Sequence, residues 1–104
     1  MKSILITGCS SGIGYATAKQ LQQLGWRVFA SCRQPADVAR LQAEGLECLL
    51  LDVTDSAQIA AALAHIEAAT GGTLDALFCN AGYGQTGAVE DIPRPALREQ
   101  YETN

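Results

Sequence analysis

The sequence predicts an α/β fold built on a doubly wound parallel sheet of four strands, in the order 3-2-1-4, with flanking helices. Short apolar runs alternate with stretches of helical periodicity along the chain of 104 residues. This alternation is typical of parallel sheets that are buried on both faces. A glycine-rich segment, residues 7–14, follows the first apolar run and opens the first helix. Right-handed crossovers then favour a strand order that reverses between strands 1 and 4.

The first half of the chain contains two strand–helix pairs. Residues 4–6 form the first strand, and helical spacing predicts the first helix over residues 13–24. Residues 26–32 form the second strand. Pro35 stands at the first position of a second helix, which Gly45 ends. The apolar face of the first helix is predicted to consist of Ile13, Ala16, Thr17, Leu21 and Leu24.

The third strand–helix pair carries an N-cap signal. Residues 46–51 form the strand, and Asp55 with Gln58 three residues later is typical of a capping box. The helix that follows is predicted to end at the glycines of residues 70–72. Its apolar face is predicted to consist of Ile59, Leu63 and Ile66.

The last part of the chain is predicted to contain a strand over residues 74–79, an irregular segment and a helix from about Arg94 to Asn104. No repeat, low-complexity tract or linker marks a domain boundary. The fourth strand lies at an edge of the predicted sheet, and exposed apolar edge strands invite pairing with another chain. We therefore expect self-association into a homo-oligomer. The apolar residues predicted to be exposed at this edge are Leu74, Leu77 and Phe78.

The composition indicates a soluble globular domain, with 48% apolar residues, 17% charged residues and a net charge of −4. An acidic balance without a run of Lys or Arg argues against a nucleic acid or an anionic membrane as the main partner. No stretch approaches the roughly 18 to 20 apolar residues of a membrane span. Glycines and serines interrupt the apolar run after Ile6, so the N-terminus does not resemble a signal peptide, and we expect a cytoplasmic protein.

The four cysteines form no C-x-x-C pair, and the chain has one histidine. This spacing excludes the common zinc sites, and no metal is expected. Three of the cysteines lie in or beside apolar runs, so we expect reduced, buried thiols that act as small hydrophobic residues. The cysteines are Cys9, Cys32, Cys48 and Cys79.

The glycine-rich segment reads TGCSSGIG over residues 7–14. Gly8 permits a tight turn off the strand, Gly12 lets the backbone approach a ligand, and Gly14 lets the helix pack closely on the sheet. The free N–H groups and the positive end of the helix favour a phosphate. A nucleoside-triphosphate loop would need a Lys after the last glycine, and the commoner dinucleotide fingerprint would need Gly where Thr17 stands.

At this point the sequence resembles the short-chain dehydrogenases/reductases, a family with a Rossmann-like fold. The T-G-x-x-x-G-x-G turn, an Asp-Val pair after strand 3, an Asn-Ala-Gly after strand 4 and an Asn in the last helix occur in the family's order. The resemblance implies a catalytic role for Asn104. It implies cofactor binding by Gly8, Ser10, Ser11, Gly12, Ile13, Gly14, Asp52, Val53, Asn80, Ala81 and Gly82.

Two positions depart from the family pattern. Cys79 stands where the family usually has the first Asn of N-N-A-G, so only Asn80 carries over. Pro93 stands where a capping hydroxyl is common, so the last helix is expected to begin less firmly.

The end of strand 2 predicts which nicotinamide cofactor binds. An acidic residue there accepts a hydrogen bond from the ribose of NAD, whereas an Arg pairs with the 2′-phosphate of NADP. Cys32 is neutral, and Arg33 offers planar donors to a phosphate. We therefore predict NADP(H). Asp37 is the alternative, NAD-selecting acid, but it fits the first turn of helix 2 better.

Two patterns in the sequence resemble groups that transfer protons. His65 lies beside the apolar face of its helix and is expected at the solvent edge. Tyr15 and Lys19 match Y-x-x-x-K, the family's proton-transfer motif, but they lie in the helix of the glycine turn, at the wrong place in the fold. We interpret that match as chance.

The family places its catalytic Ser and Tyr-x-x-x-Lys after the helix that carries Asn104. The resemblance therefore implies that residues 1–104 are the N-terminal NADP(H)-binding portion of a longer oxidoreductase, which acts on a small carbonyl or alcohol substrate and is inactive without the rest. One alternative is a non-catalytic dinucleotide-binding or sensor module. Another is a different doubly wound nucleotide binder, such as a methyltransferase.

Overall fold

The computed structural model describes residues 1–104, and strands alternate with helices along it. All four strands are parallel and lie in the order β3-β2-β1-β4, which confirms the predicted topology. The strands are β1 (Ser3–Ile6), β2 (Arg27–Cys32), β3 (Glu47–Leu50) and β4 (Ala76–Phe78). The helices are α1 (Gly12–Gln23), α2 (Pro35–Ala43), α3 (Ser56–Thr70) and α4 (Arg94–Thr103), and a short 3₁₀ turn (Val89–Asp91) precedes α4.

Each face of the sheet packs on different helices because side chains alternate along a strand. Ile6 and its partner Ala30 belong to a buried cluster that includes α1 and α2 residues. Leu5 and its partner Phe29 point the other way and pack with Ile66 of α3. The central strands are therefore buried on both faces, which explains their continuous apolar sequence.

Three cysteines are buried, as the sequence predicts, and Cys79 is exposed. Burial raises the pKa of the Cys9 thiol to about 11 and that of Cys48 to about 12. It also raises the pKa of Cys32. These groups are therefore protonated thiols at neutral pH and pack as small apolar side chains.

The predicted contact faces of two helices were partly wrong. Ile13 of α1 and Leu24, which caps the end of that helix, are 71% and 69% exposed. Ala16 is exposed as well, and the helix buries Gly14 and Ala18. In α3, the predicted Ile59 and Leu63 are 37% and 45% exposed, while Ala62 is buried with Ile66. The reason is close packing, because small residues let a helix axis approach the sheet where large side chains would hold it away.

Only half of the predicted capping box of α3 forms. The Asp55 carboxylate accepts hydrogen bonds from the N–H groups of Ala57 and Gln58, at 3.0 and 3.2 Å. The Gln58 side chain does not return to Asp55; its Oε1 accepts from the Asp52 N–H at 2.7 Å. Gln58 thus ties the start of α3 to the segment that leaves β3. The helix ends at Gly71, with φ of 74°, as expected.

Strand β4 pairs with β1 and lies at one edge of the sheet. Of the three apolar residues predicted to be exposed there, Leu77 is 58% exposed. Leu74 and Phe78 are half-buried because they pack against the two core clusters, which corrects the prediction for both. No helix of the chain has both the length and the apolarity needed to cross a bilayer.

Candidate functional site

The carboxyl ends of the strands open onto one cleft of about 650 Å³. In an open parallel sheet this edge, where the strand order reverses, is the usual place for a ligand. The cleft brings together residues of the glycine turn, the end of β2 and the segments after β3 and β4. The predicted residues that line it are Gly8, Ser10, Ser11, Ile13, Arg33, Asp52, Val53, Asn80, Ala81 and Gly82.

Each glycine of the turn has a separate structural cause. Gly8 and Gly12 have φ of 70° and 65°, a backbone region that L residues rarely adopt. A Cβ on Gly12 would meet no atom within 4 Å, so the space beside it is open. A Cβ on Gly14 would collide with the Gly8 carbonyl oxygen and would lie 2.6 Å from Asn80 Nδ2. Gly14 lies directly beneath the turn, and neither Gly12 nor Gly14 is among the residues that line the cleft.

The first turn of α1 leaves backbone donors at the cleft. Ser11 is the N-cap residue in extended conformation, and its side chain makes no capping hydrogen bond. The first N–H groups of a helix have no partner within the helix, and the helix dipole makes this end positive. Ser10, Ser11 and Ile13, at this end of the helix, line the cleft. The arrangement suits an anionic oxygen of a ligand.

The end of β4 is hydrogen-bonded to the glycine turn. Asn80 Nδ2 donates to the Gly8 carbonyl oxygen at 3.0 Å. The hydroxyl oxygen of Thr7 accepts from the N–H groups of both Asn80 and Ala81, each at 3.0 Å. This role of Thr7 was not predicted from the sequence. The signal for it is a hydroxyl residue directly after β1, because the neighbouring strand β4 ends just before Asn80.

Charged groups occupy the adjacent wall of the cleft. Arg33 is exposed and forms no ion pair within the chain. The Thr54 hydroxyl and N–H donate to Asp52 at 2.6 and 2.9 Å, and these bonds, with a smaller contribution from the charge of Arg33, lower the pKa of Asp52. Asp37 lies in the first turn of α2, as expected, and pairs with Arg40 at 3.4 Å.

Asn104 lies beside the cleft and is hydrogen-bonded to the loop after β4. Its Oδ1 accepts from the Tyr83 N–H at 3.2 Å, and its Nδ2 donates to the Tyr83 carbonyl at 2.7 Å. Gln100 Nε2 donates to the same carbonyl at 2.7 Å. A Cβ on Gly82 would collide with Asn104 Oδ1. The cleft is also lined by Cys32, which was considered for cofactor selection, and by Tyr83. Its remaining residues were not predicted from the sequence: Leu51, Thr54, Glu99, Glu102 and Thr103.

Comparison with known proteins assigns this arrangement to a family. The family model described as short chain dehydrogenase matches residues 2–104. The chain belongs to the short-chain dehydrogenase family.

Relatives in this family match almost the whole chain. An uncharacterized oxidoreductase of Escherichia coli, YbbO, is 39% identical over 103 residues, which cover 99% of this chain and 38% of that protein. A short-chain dehydrogenase from Streptomyces avermitilis superposes with a TM-score of 0.87 at 36% identity, covering 97% of this chain and 38% of that one. An actinorhodin polyketide ketoreductase variant solved with NADPH gives 0.85 at 30% identity, covering 98% and 41%. The chain thus spans about two fifths of the length of these relatives.

The two proton-transfer candidates considered in the sequence, His65 and the Tyr15–Lys19 pair, lie outside the cleft of this short-chain dehydrogenase. Tyr15 donates a hydrogen bond to Glu44, which raises the Tyr15 pKa, and Lys19 pairs with the same carboxylate at 3.3 Å. The Tyr15 and Lys19 pair therefore joins α1 to the end of α2. His65 Nε2 lies 3.1 Å from Glu47, and its side chain is 48% exposed.

Proposed function

We propose that residues 1–104 are the N-terminal NADP(H)-binding portion of a longer oxidoreductase, which reduces a carbonyl or oxidises an alcohol by hydride transfer. The observation that carries the proposal is that the glycine turn and the unpaired Arg33 line the same cleft. A phosphate-binding turn alone suits many nucleotides, whereas a free guanidinium at the end of β2 suits the 2′-phosphate of NADP.

The residues present fit the dinucleotide. The turn of Gly8, Ser10, Ser11, Gly12, Ile13 and Gly14, with the start of α1, would hold the diphosphate. Arg33 would pair with the 2′-phosphate, and Asp52 and Val53 would adjoin the adenine. The Asn80, Ala81 and Gly82 segment would border the nicotinamide half. Bound there, the nicotinamide supplies the hydride donor or acceptor.

Asn104 is the one catalytic residue that we propose within the chain. Its side chain holds the Tyr83 backbone beside Gly82, and it would therefore fix the loop that faces the reacting end of the cofactor. The family resemblance assigns proton transfer to a Ser and a Tyr-x-x-x-Lys that follow Asn104. Residues 1–104 alone would thus bind the dinucleotide without turning over substrate.

The partner that we propose is a small carbonyl or alcohol, and we propose a homo-oligomer in the cytoplasm. The net charge of −4 and the absence of a Lys/Arg run disfavour a nucleic acid or an anionic membrane as partner.

Titration with NADPH, NADH and S-adenosylmethionine tests the proposal, followed by an aldehyde and ketone panel with NADPH on the full natural protein. We expect NADPH to bind more tightly than NADH, no binding of S-adenosylmethionine, and reduction of at least one carbonyl. Tighter binding of NADH would contradict the NADP(H) assignment. Tight NADPH binding without turnover of any carbonyl or alcohol would favour the sensor module, and binding of S-adenosylmethionine alone would favour a methyltransferase.

A further inference from the structure

Arg40 reaches from α2 to the glycine turn without lining the cleft. Its Nη2 donates to the Ser10 carbonyl oxygen at 2.6 Å. The same guanidinium lies 3.4 Å from the Asp37 carboxylate and 3.5 Å from that of Glu44, and 5.9 Å from the centre of the Tyr15 ring. These neighbours hold the guanidinium in one place although the side chain is 44% exposed. Ordered in this way, Arg40 can fix the carbonyl that it contacts.

The carbonyl of Ser10 shares a peptide plane with the N–H of Ser11. In a trans peptide these two groups point in opposite directions, and the chain has no cis peptide. The carbonyl points to α2, so the Ser11 N–H points away from α2. This N–H makes no hydrogen bond within the chain, and Ser11 lines the cleft. Fixing the Ser10 carbonyl therefore fixes the direction of one free donor of the turn.

The remaining contacts of the turn leave this peptide without support from the sheet. Asn80 holds the Gly8 carbonyl, and the Cys9 N–H donates to the Ser31 carbonyl at 2.8 Å. Beyond Ser11 the chain passes through Gly12, which has positive φ and open space around it. Arg40 is the side chain that fixes the Ser10–Ser11 peptide between these points.

We infer that Arg40 is a positioning residue, which holds the Ser10 carbonyl so that the Ser11 N–H is presented to the diphosphate of the dinucleotide. The inference rests on the proposed function. It assigns Arg40 a different task from Arg33, because Arg33 lines the cleft and Arg40 does not. Arg40 acts on the part of the cofactor that NADPH and NADH share, whereas Arg33 acts on the 2′-phosphate that distinguishes them.

The test compares Asp37→Asn with the Asp37→Asn, Arg40→Gln double variant of the full natural protein. Asp37→Asn is the common background because removal of Arg40 alone would leave the Asp37 carboxylate without its partner. We expect the dissociation constants of NADPH and NADH to rise together by about tenfold, which corresponds to the loss of one charge-assisted hydrogen bond. We also expect faster amide hydrogen exchange over residues 8–14. Arg40→Lys keeps one donor, so both dissociation constants should rise less than in Arg40→Gln. It takes the place of Arg40→Gln in the comparison if that variant fails to fold. Lys19→Gln, which removes another cation beside Glu44, should leave both constants unchanged.

Three results would overturn the inference. Unchanged affinity for both dinucleotides, even with a lower melting temperature, would make Arg40 only a structural brace. A loss confined to NADPH would make it a ligand of the 2′-phosphate. If the unaltered protein binds neither dinucleotide, the proposed function itself fails and the inference fails with it, a result that the first titration reveals before any variant is made.

Discussion

The side-chain amide of Asn80 donates a 3.0 Å hydrogen bond to the carbonyl oxygen of Gly8, joining the end of β4 to the glycine turn that follows β1. The same amide nitrogen lies against the position where Gly14 would carry a Cβ. Two motifs that are about 70 residues apart in the sequence therefore form one packed unit. The geometry of the turn depends on β4 as well as on its own glycines.

Asn80→Asp tests this link. The change replaces the donor with a carboxylate oxygen that faces a carbonyl oxygen, so the hydrogen bond becomes a repulsion. We expect the free energy of unfolding to fall by about 1–3 kcal/mol and the affinity for NADPH to fall with it. Urea denaturation and dinucleotide titration measure the two effects.

Gln22→Glu is the matched control, because Gln22 Nε2 donates to the Gly45 carbonyl at 2.8 Å on the exposed side of the molecule. It makes the same chemical change away from the cleft, and we expect a smaller loss of stability and unchanged dinucleotide affinity. Equal effects of the two variants on affinity would show that Asn80 has no special part in holding the turn.

Gly14→Ala introduces a methyl group where no space exists. Its Cβ would collide with the Gly8 carbonyl, so either α1 or the turn must move. Overpacking of this kind costs about 1–3 kcal/mol, and the displaced turn should also bind dinucleotide less tightly. Gly84→Ala is the control, because Gly84 has neither a positive φ nor an atom within 4 Å of the new methyl group. Thermal unfolding of both variants measures this loss of stability. Similar melting temperatures for the two variants would contradict the packing role of Gly14.

The order of the sheet could be predicted from the sequence because each apolar run, such as residues 4–6, is followed by a helix that must cross over to a parallel strand. The glycine turn could be predicted for a related reason. Its three glycines follow a strand directly and open a helix, a local pattern with few structural solutions. The gathering of Gly8, Arg33, Asp52 and Asn80 in one cleft then follows, since the carboxyl ends of parallel strands lie at one edge.

Contact faces and side-chain partners could not be predicted in this way. Close packing at Gly14 could be predicted from the glycine turn, but helical periodicity marks Ile13 and Leu24 as apolar and does not show that Ala18 is buried instead. The partners of Thr7 and Asn104 lie on other elements of the fold. Sequence spacing contains no information on such distances before the register of the strands is known.

Thr54→Val tests the cause of the lowered pKa of Asp52. Because the hydrogen bonds from Thr54 depress the folded-state pKa, the stabilisation is complete above the pKa of an unfolded Asp, about 3.9, and is lost as the pH falls through the lower folded value. The variant should therefore be less stable at pH 7, by less than about 1 kcal/mol for a solvent-screened pair, and the difference should shrink towards pH 2. Urea denaturation across this range measures it.

The control for this pH series is Thr73→Val, because the hydroxyl of Thr73 makes no hydrogen bond within the chain, although its backbone does. Its effect on stability should not vary with pH. If the loss of stability caused by Thr54→Val is likewise the same from pH 7 to pH 2, the Thr54 hydroxyl is not the cause of the lowered pKa of Asp52.

Arg33→Gln tests the choice between NADPH and NADH. The guanidinium is exposed, unpaired and at the cleft wall, so its removal should deprive only the 2′-phosphate of a partner. Loss of one or two charge-assisted hydrogen bonds predicts a dissociation constant for NADPH that is roughly 10- to 100-fold higher, while that for NADH stays the same.

Lys2→Gln is the control for net charge. Lys2 precedes β1, at the amino ends of the strands and away from the cleft, and its Nζ lies 5.8 Å from the centre of the Trp26 ring. Titrations with both dinucleotides in one buffer of fixed salt concentration separate the outcomes, since screening alone weakens phosphate binding. If Arg33→Gln weakens NADH as much as NADPH, the guanidinium contacts a group common to both, and the end of β2 does not select the cofactor.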